Sequence, residues 1–564
     1  MAEIIIMPKL GFNMDEGQLV KWHRRVGETV KKGEVLFEIN TDKTTMPVEA
    51  TADGTVLQLM LEEGAFAEVF TPIAVIGAPG EDPNAVLNGP ATPQAAPAAP
   101  AEPAGYDYDV VVIGAGPGGY ETAIKAAQCG KKTCIIEGAG FGGTCLNVGC
   151  IPTKALIQTA DVYHKVKDAA RFAVTGVEAD KIAVDMAALQ ARKKAVVKTL
   201  VNGVKGLLRG NKVMVVEGMA SFADTHTLSV DGRSITGANI IIATGSSVFM
   251  PPFIALEGEN HLLTSTEALD LDQVPASVTV IGGGVIGVEF AYLLNRLGSK
   301  VTVLELMDHI LPMVDIEVSR LAEKRMTKDG ILFRLGAKVS RVKDDTVYYE
   351  FGGQECQVKS DMVLMAVGRV PNTQGLNAEG IGIEFDRKAI RTDAHMRTNI
   401  PHIYAIGDVN GKVMLAHTAS HEGMVAVADI CGQGEEMRYD RIPSCVYLEP
   451  EIACIGLTEA QAREKYGDGL KIGRFNMAAN GKSLIAGDTD GLFKVIVAAD
   501  TGEILGAHLY GQHVTDMIGE ISAAMAAEGT AEELIHAIHP HPTVNEALSE
   551  AFMAAWNGRA INSL

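Results

Sequence analysis

Apolar residues along this chain gather in short runs that stop at glycine. Residues 109–113 are nearly all aliphatic, which suits a strand buried on both faces. Gly114, Gly116 and Gly119 follow in one short turn, and a helical pattern then covers 120–130. A second aliphatic run, 133–136, ends at Glu137. The same order returns further on. A strand is expected over 277–281, then Gly282, Gly284 and Gly287, a helix to about Leu297, and a strand over 300–304 ending at Glu305. Each set predicts a strand–helix–strand unit that binds a dinucleotide. The glycines permit the tight turn and bring the pyrophosphate to a helix N-terminus, and the acid accepts ribose hydroxyls. An acid at Glu305 favours a free 2′-hydroxyl, hence NAD over NADP.

The first 77 residues have another rhythm. Short apolar alternations broken by glycine repeat with an offset of 37: Gly17 with Gly54, Gly27 with Gly64, Val30 with Ala67, Leu36 with Ile73, Ile39 with Ile76. Two similar halves of small strands predict two small sheets packed as a flattened barrel or sandwich. Between the halves, the polar residues 40–45 are placed to form a hairpin tip carrying Lys43. Residues 78–105 then lose almost every large apolar side chain, with seven prolines from Pro79 to Pro103. Such a segment is expected to be an extended, semi-rigid linker. At about 3.1 Å per residue it reaches on the order of 80 Å, which suits a swinging carrier. An inert solubility linker is the plainer alternative.

Composition narrows the classes. A length of 564 residues allows three or four domains, and 60 glycines with 47% hydrophobic residues suit α/β architecture. A net charge of −21 at pH 7, with no basic stripe, argues against nucleic-acid binding. The first eight residues lack a signal-peptide pattern, and no stretch of about 18 apolar residues reads as a membrane span. Eight cysteines are too sparse for a disulfide scaffold and imply a reducing, cytoplasmic setting.

One cysteine pair stands apart: Gly142-Gly143-Thr144-Cys145-Leu146-Asn147-Val148-Gly149-Cys150-Ile151-Pro152-Thr153-Lys154. Five helical steps span roughly 7.5 Å. Bridged cysteines need Cα atoms within about 7 Å. The pair therefore cannot sit in an undistorted helix and still close. A loop entering a distorted first helical turn fits, and a thiol at a helix N-terminus is reactive. Two buried small hydrophobes remain the bland alternative. The other six cysteines, Cys129, Cys134, Cys356, Cys431, Cys445 and Cys454, show no paired motif and read as core or incidental.

Residues 1–77 resemble a lipoyl domain, on the Asp42–Lys43 pair at the hairpin tip and the glycines around it. The resemblance implies a lipoyl group on Lys43; biotinyl domains usually place methionines beside the lysine. Residues 106–564 resemble the dihydrolipoamide dehydrogenases of the pyridine nucleotide–disulfide oxidoreductase family. The cysteine stretch carries the match, with Thr153 where most members have Ser. So do Ala243-Thr244-Gly245, Ala366-Val367-Gly368-Arg369, Tyr404-Ala405-Ile406-Gly407-Asp408, Leu415-Ala416-His417 and His539-Pro540-His541-Pro542-Thr543.

By that resemblance Cys145 is the interchange thiol and Cys150 the thiol against the flavin, forming a redox disulfide. His541 is the general base, oriented by Glu546 and supplied by the partner subunit; His539 is the alternative. FAD is expected at Gly114, Gly116, Gly119, Glu137, Gly143, Thr144, Lys154, Ala220, Ala243, Thr244, Gly245, Asp408 and Ala416, with Lys154 paired to Glu289. NAD is expected at Gly282, Gly284, Gly287, Glu289, Glu305, Val339 and Gly368. No metal site is expected.

The fold class is thus α/β, with two Rossmann-like domains and an α+β interface domain behind a small all-β lipoyl domain. The expected boundaries are 1–78 lipoyl, 79–105 linker, 106–253 FAD-binding, 254–380 NAD-binding, 381–447 completing the FAD site, and 448–564 dimerisation. The implied activity is oxidation of protein-bound dihydrolipoamide through FAD to NAD by a homodimer. The implied partner is the lipoyl-bearing acyltransferase component of a 2-oxo acid or acetoin dehydrogenase complex. Glutathione reductases usually carry basic residues in place of Glu305. Mercuric reductases carry a vicinal C-terminal cysteine pair that this chain lacks. A scaffold with an idle enzyme core is the reading of another class.

Overall fold

The computed structural model describes residues 3–8, 16–40, 45–68, 71–79, 81, 105–258 and 262–562. The chain divides into two compact units, Met1–Gly105 and Tyr106–Leu564.

In the first unit the repeat is visible as strands. Glu16–Trp22, Thr29–Val30 and Val35–Asn40 recur, 37 or 38 residues on, as Gly54–Leu59, Phe66–Glu68 and Pro72–Gly77. They form two four-stranded antiparallel sheets, joined by Glu3–Ile6 and Thr45–Glu49. Leu36, Ile39, Ile73 and Ile76 are buried at equivalent places in one shared core. Gly27 and Gly64 turn the chain at φ of +91° and +87°, a region open chiefly to glycine. Strands Val35–Asn40 and Thr45–Glu49 pair with Asn40 opposite Thr45, so they flank the expected lysine hairpin; Lys43 itself lies outside the described residues.

The second unit holds two parallel sheets. The first runs Met214–Glu217, Thr133–Glu137, Tyr108–Ile113, Arg233–Ile242 and Ile403–Ala405, and Arg233–Ile242 also joins an antiparallel meander. The other runs Leu262–Thr264, Met362–Met365, Ser277–Ile281, Lys300–Glu305 and Leu332–Leu335. Their central strands are aliphatic because both faces are covered, by helices on one side and by antiparallel strands on the other. The glycine turns work alike in both. A Cβ on Gly119 would fall 1.9 Å from the Gly114 carbonyl oxygen, and one on Gly287 would fall 2.0 Å from that of Gly282. Only glycine lets the helix start so close to its strand.

A five-stranded antiparallel sheet follows, in the order Ser444–Val446, Glu451–Gly456, Ile504–Gly511, Leu492–Ala498, Leu470–Asn476. Helix Glu546–Trp556 lies directly on its last strand, because Gly473 has no side chain to hold off the Ala551 carbonyl. Ala547, Leu548, Ala551 and Phe552 are fully buried there, which fixes the helix N-terminus that carries Glu546. Among the described residues no helix is long and apolar enough to cross a membrane.

Candidate active site

A single cavity of about 2170 Å³ joins the C-terminal ends of both parallel sheets. Ordinary small-molecule sites occupy about 300–1,000 Å³, so this one has room for two dinucleotides. Its wall includes Gly114, Gly116, Gly119, Glu137, Ala243, Thr244, Gly245 and Asp408 from the first side. From the second come Gly282, Gly284, Glu305, Val339 and Gly368. Ala220, Gly143, Thr144 and Ala416 also line it. Gly287 does not line it and acts from behind, by its packing on Gly282.

The backbone fits what these motifs are expected to hold. A Cβ on Gly143 would sit 2.7 Å from the Gly116 Cα, while Gly284 has nothing within 4 Å of its added Cβ. The first pair closes a tight cradle at the N-terminus of helix Pro117–Gln128, and Gly284 leaves the other turn open to the cavity. Glu137 accepts hydrogen bonds from the Ala115, Ala139 and Gly140 amides at 2.6–2.9 Å. Glu305 accepts from the amides of Gly283 and, at 2.7 Å, Met307. Both carboxylates are thereby fixed at the mouths of their turns. A 2′-phosphate brought to Glu305 would meet a buried negative charge.

Cys145 and Cys150 stand at the junction of two helices, Gly143–Val148 and Cys150–Lys167. The sequence suggested a loop leading into a distorted turn; instead a short helix precedes the break. Gly149, at φ −140° and ψ −116°, makes that break. A Cβ there would fall 2.8 Å from the Thr144 carbonyl oxygen, so the chain folds back on itself only with glycine. The Thr153 hydroxyl donates to the Gly149 carbonyl at 2.6 Å, so the threonine keeps the hydroxyl function expected of serine.

Both cysteines are thiols, with Cys145 half-buried and Cys150 exposed to the cavity. The Cys145 thiol donates to Cys150, which pulls Cys150 down to about 7 although burial acts the other way. Lys154 and the first-turn position on helix Cys150–Lys167 push in the same direction. The same hydrogen bond, with burial, holds Cys145 well above the ordinary thiol range. The thiolate therefore sits on Cys150.

Lys154 is held in place. Its Nζ donates to Glu289 Oε2 at 2.7 Å and lies 4.6 Å from the Tyr447 ring centroid. Glu289 is 3% exposed, and its other oxygen accepts from the Tyr447 amide at 3.0 Å. A second network was not assigned from sequence. Arg369 donates from Nε to the Ser246 hydroxyl at 2.7 Å, and that hydroxyl donates to Asp408. Arg369 belongs to the Gly368 motif and Ser246 follows Gly245, so both stood beside recognised positions. Their pairing spans 123 residues and leaves no local trace.

His541 and Glu546 lie outside the cavity wall. His541 Nδ1 is 2.8 Å from Glu546 Oε1, and its side chain is 79% exposed. Burial raises the Glu546 pKa, but the Thr543 amide and His541 outweigh it and hold it below the usual carboxylate range. His539 is instead tucked against Glu520 at 2.9 Å, with a side chain 7% exposed. That favours His541 as the ring free to meet something from outside. Among the described residues no cluster of histidine, cysteine, aspartate or glutamate could hold a metal ion.

Fold and site define a flavoprotein-type disulfide reductase. The model described as "Pyridine nucleotide-disulphide oxidoreductase" matches residues 108–423, and its "dimerisation domain" matches 442–552. The chain belongs to this family. The model described as "Biotin-requiring enzyme", which covers biotin and lipoyl modules, matches residues 3–76. A Bacillus subtilis dihydrolipoyl dehydrogenase is 42% identical over 451 residues, 79% of this chain and 98% of the relative. The mitochondrial dihydrolipoyl dehydrogenase of Schizosaccharomyces pombe is 41% identical over 472 residues, 81% of this chain and 91% of its own. Among solved structures, the HOCl-induced flavoprotein disulfide reductase RclA from Escherichia coli matches with a TM-score of 0.70 at 31% identity. It covers 79% of this chain and 99% of that one.

Proposed function

We propose that this chain is a dihydrolipoyl dehydrogenase that oxidises protein-bound dihydrolipoamide with NAD, and that it carries a lipoyl group of its own on Lys43. The carrying observation is the cavity that unites the Cys145–Cys150 pair with two dinucleotide turns. FAD fits the turn of Gly114, Gly116 and Gly119 with Glu137, Lys154, Asp408 and Ala416. NAD fits Gly282, Gly284 and Glu305. Bound flavin supplies a two-electron relay between sulfur and nicotinamide.

The protein's own groups do the sulfur and proton chemistry. In the oxidised enzyme Cys145 and Cys150 form a disulfide. A substrate thiolate attacks Cys145, and Cys150 leaves as the thiolate its surroundings favour. The second substrate thiolate then attacks the first substrate sulfur and releases Cys145, giving the lipoyl disulfide and a reduced enzyme pair. His541 of the partner subunit, oriented by Glu546, takes the proton of one substrate thiol, and the proton of the other ends on the released Cys145, which becomes a thiol. The exposed His541 and the matching dimerisation domain support a shared site in a homodimer. The lipoyl module and its proline-rich tether support work within a complex whose acyltransferase also carries lipoyl groups.

The test combines mass spectrometry of the purified chain with Cys145→Ser. We expect a lipoyl mass increment on the Lys43 peptide. We expect dihydrolipoamide–NAD turnover in Cys145→Ser to fall by about three orders of magnitude or more, with FAD retained. Wild-type turnover in that variant would refute the enzyme reading. An unmodified Lys43 in cells that lipoylate other proteins would refute the carrier.

A further inference from the structure

Cys129 and Cys431, read from sequence as incidental, meet in the fold. They cap the C-terminal ends of helices Pro117–Gln128 and Ala416–Ile430. The two helices pack side by side in the same direction. Gly118 lies against Ala419, where an added Cβ would come within 2.9 Å of the alanine Cβ, and one turn on Gly423 lies against Thr122. Two further turns along each helix bring the chain to Cys129 and Cys431. The contact leaves no room to slide, so the two thiols are held opposite each other and hydrogen-bond. Cys129 is exposed and Cys431 half-buried. At their other ends the same helices line the cavity, through Pro117, Gly118 and Gly119 on one and Ala416, His417 and Ala419 on the other.

We propose that Cys129 and Cys431 form a second thiol–disulfide exchange site, which accepts low-molecular-weight disulfides such as oxidised glutathione and closes to an intramolecular disulfide that clamps the two cavity-facing helices. The exposed Cys129 thiolate attacks the small disulfide and expels one thiolate, leaving a mixed disulfide on Cys129. The Cys431 thiolate then attacks the Cys129 sulfur and expels the second. One small disulfide is reduced to two thiols, the two protein thiols supply the protons, and one protein disulfide forms. The order follows from access. Burial holds the Cys431 thiol above the ordinary range, while Lys125 and Lys131 pull it back only in part. It is therefore a slow first attacker, but closure is intramolecular and needs only a small thiolate fraction.

The experiment treats the full-length holoenzyme with oxidised glutathione, digests it without reduction and maps the peptides by mass spectrometry. A linked peptide pair containing Cys129 and Cys431 is expected in the wild type. In Cys431→Ser a glutathione adduct trapped on Cys129 is expected. The time for FAD release on warming should be several-fold longer in the oxidised wild type than in identically treated Cys129→Ser. Separate glutathione adducts on both cysteines, or none on either, would overturn the exchange site. A linked pair with unchanged FAD release would overturn the clamp. Neither cysteine belongs to the proposed catalytic set, so failure here leaves the dehydrogenase reading untouched.

Discussion

Lys154 is the residue on which the thiolate assignment turns. Its ammonium is one of the groups favouring a charged Cys150, alongside the Cys145 hydrogen bond, while burial opposes them. Glu289 and Tyr447 hold it so that it cannot swing away. Replacing it with a neutral side chain removes a positive charge from the site and leaves Glu289 buried beside the sulfur. The midpoint of Cys150 alkylation in the reduced protein should fall below the ordinary thiol range in the wild type, near pH 7. In Lys154→Gln it should move upward by about one unit or more, since an adjacent charge shifts a pKa by roughly 1–3 units. Rates of iodoacetamide labelling across pH, read on the Cys150 peptide, check this. An unmoved midpoint would show that Lys154 does not stabilise the thiolate.

At the scale of elements, local sequence carried a great deal. The offset of 37 became strands at nearly the same offset, because each half buries equivalent residues and even bulges at equivalent places, Leu19/Lys21 and Val56/Gln58. Both glycine turns with their acids became strand–turn–helix units with nearly the expected bounds, since first and third glycines can only meet in that turn. Long-range polar pairings were not legible. The clearest is Lys494, whose side chain is 2% exposed in the all-buried strand Leu492–Ala498. Its ammonium bonds Asp315 at 2.7 Å, Glu459 at 2.8 Å and Glu317 at 3.1 Å, and so ties the N-terminus of helix Ile316–Lys328 to the interface sheet. Nothing in an aliphatic strand announces three carboxylates from elsewhere in the chain. Lys494→Met should cost about 3–5 kcal/mol in chemical denaturation, because it strands buried carboxylates. Burial raises the Asp315 pKa, but its bonds to Lys494 and the Glu459 amide outweigh this and lower it. A depressed carboxylate stabilises the fold above its unfolded pKa, and that contribution fades as pH falls through the folded value. The wild type should therefore lose stability below about pH 4 more steeply than the variant. Equal acid slopes would mean that the cluster contributes nothing.

For the whole molecule the decisive feature is what the cavity lacks. Among the described residues it contains the cysteine pair and both dinucleotide turns, but neither His541 nor Glu546. The motif offers His541 as the proposed base, but nothing in the sequence marks where it would stand relative to the thiols of a second copy. If the site is shared, each catalytic unit takes Cys145 from one protomer and His541 from the other. Mixing two dead variants then discriminates. A dimer of Cys145→Ser with His541→Gln has one site with both defects and one with neither. Random reassociation gives half mixed dimers, each with one working site of two, so about a quarter of wild-type turnover should return. If His541 served its own protomer's cysteines, every site in the mixture would carry one defect and turnover would stay at the level of the single variants. Co-expression with two different tags and isolation of the doubly tagged dimer leave only mixed dimers, so a dihydrolipoamide–NAD assay should then read about half of wild-type turnover for a shared site and only single-variant turnover otherwise.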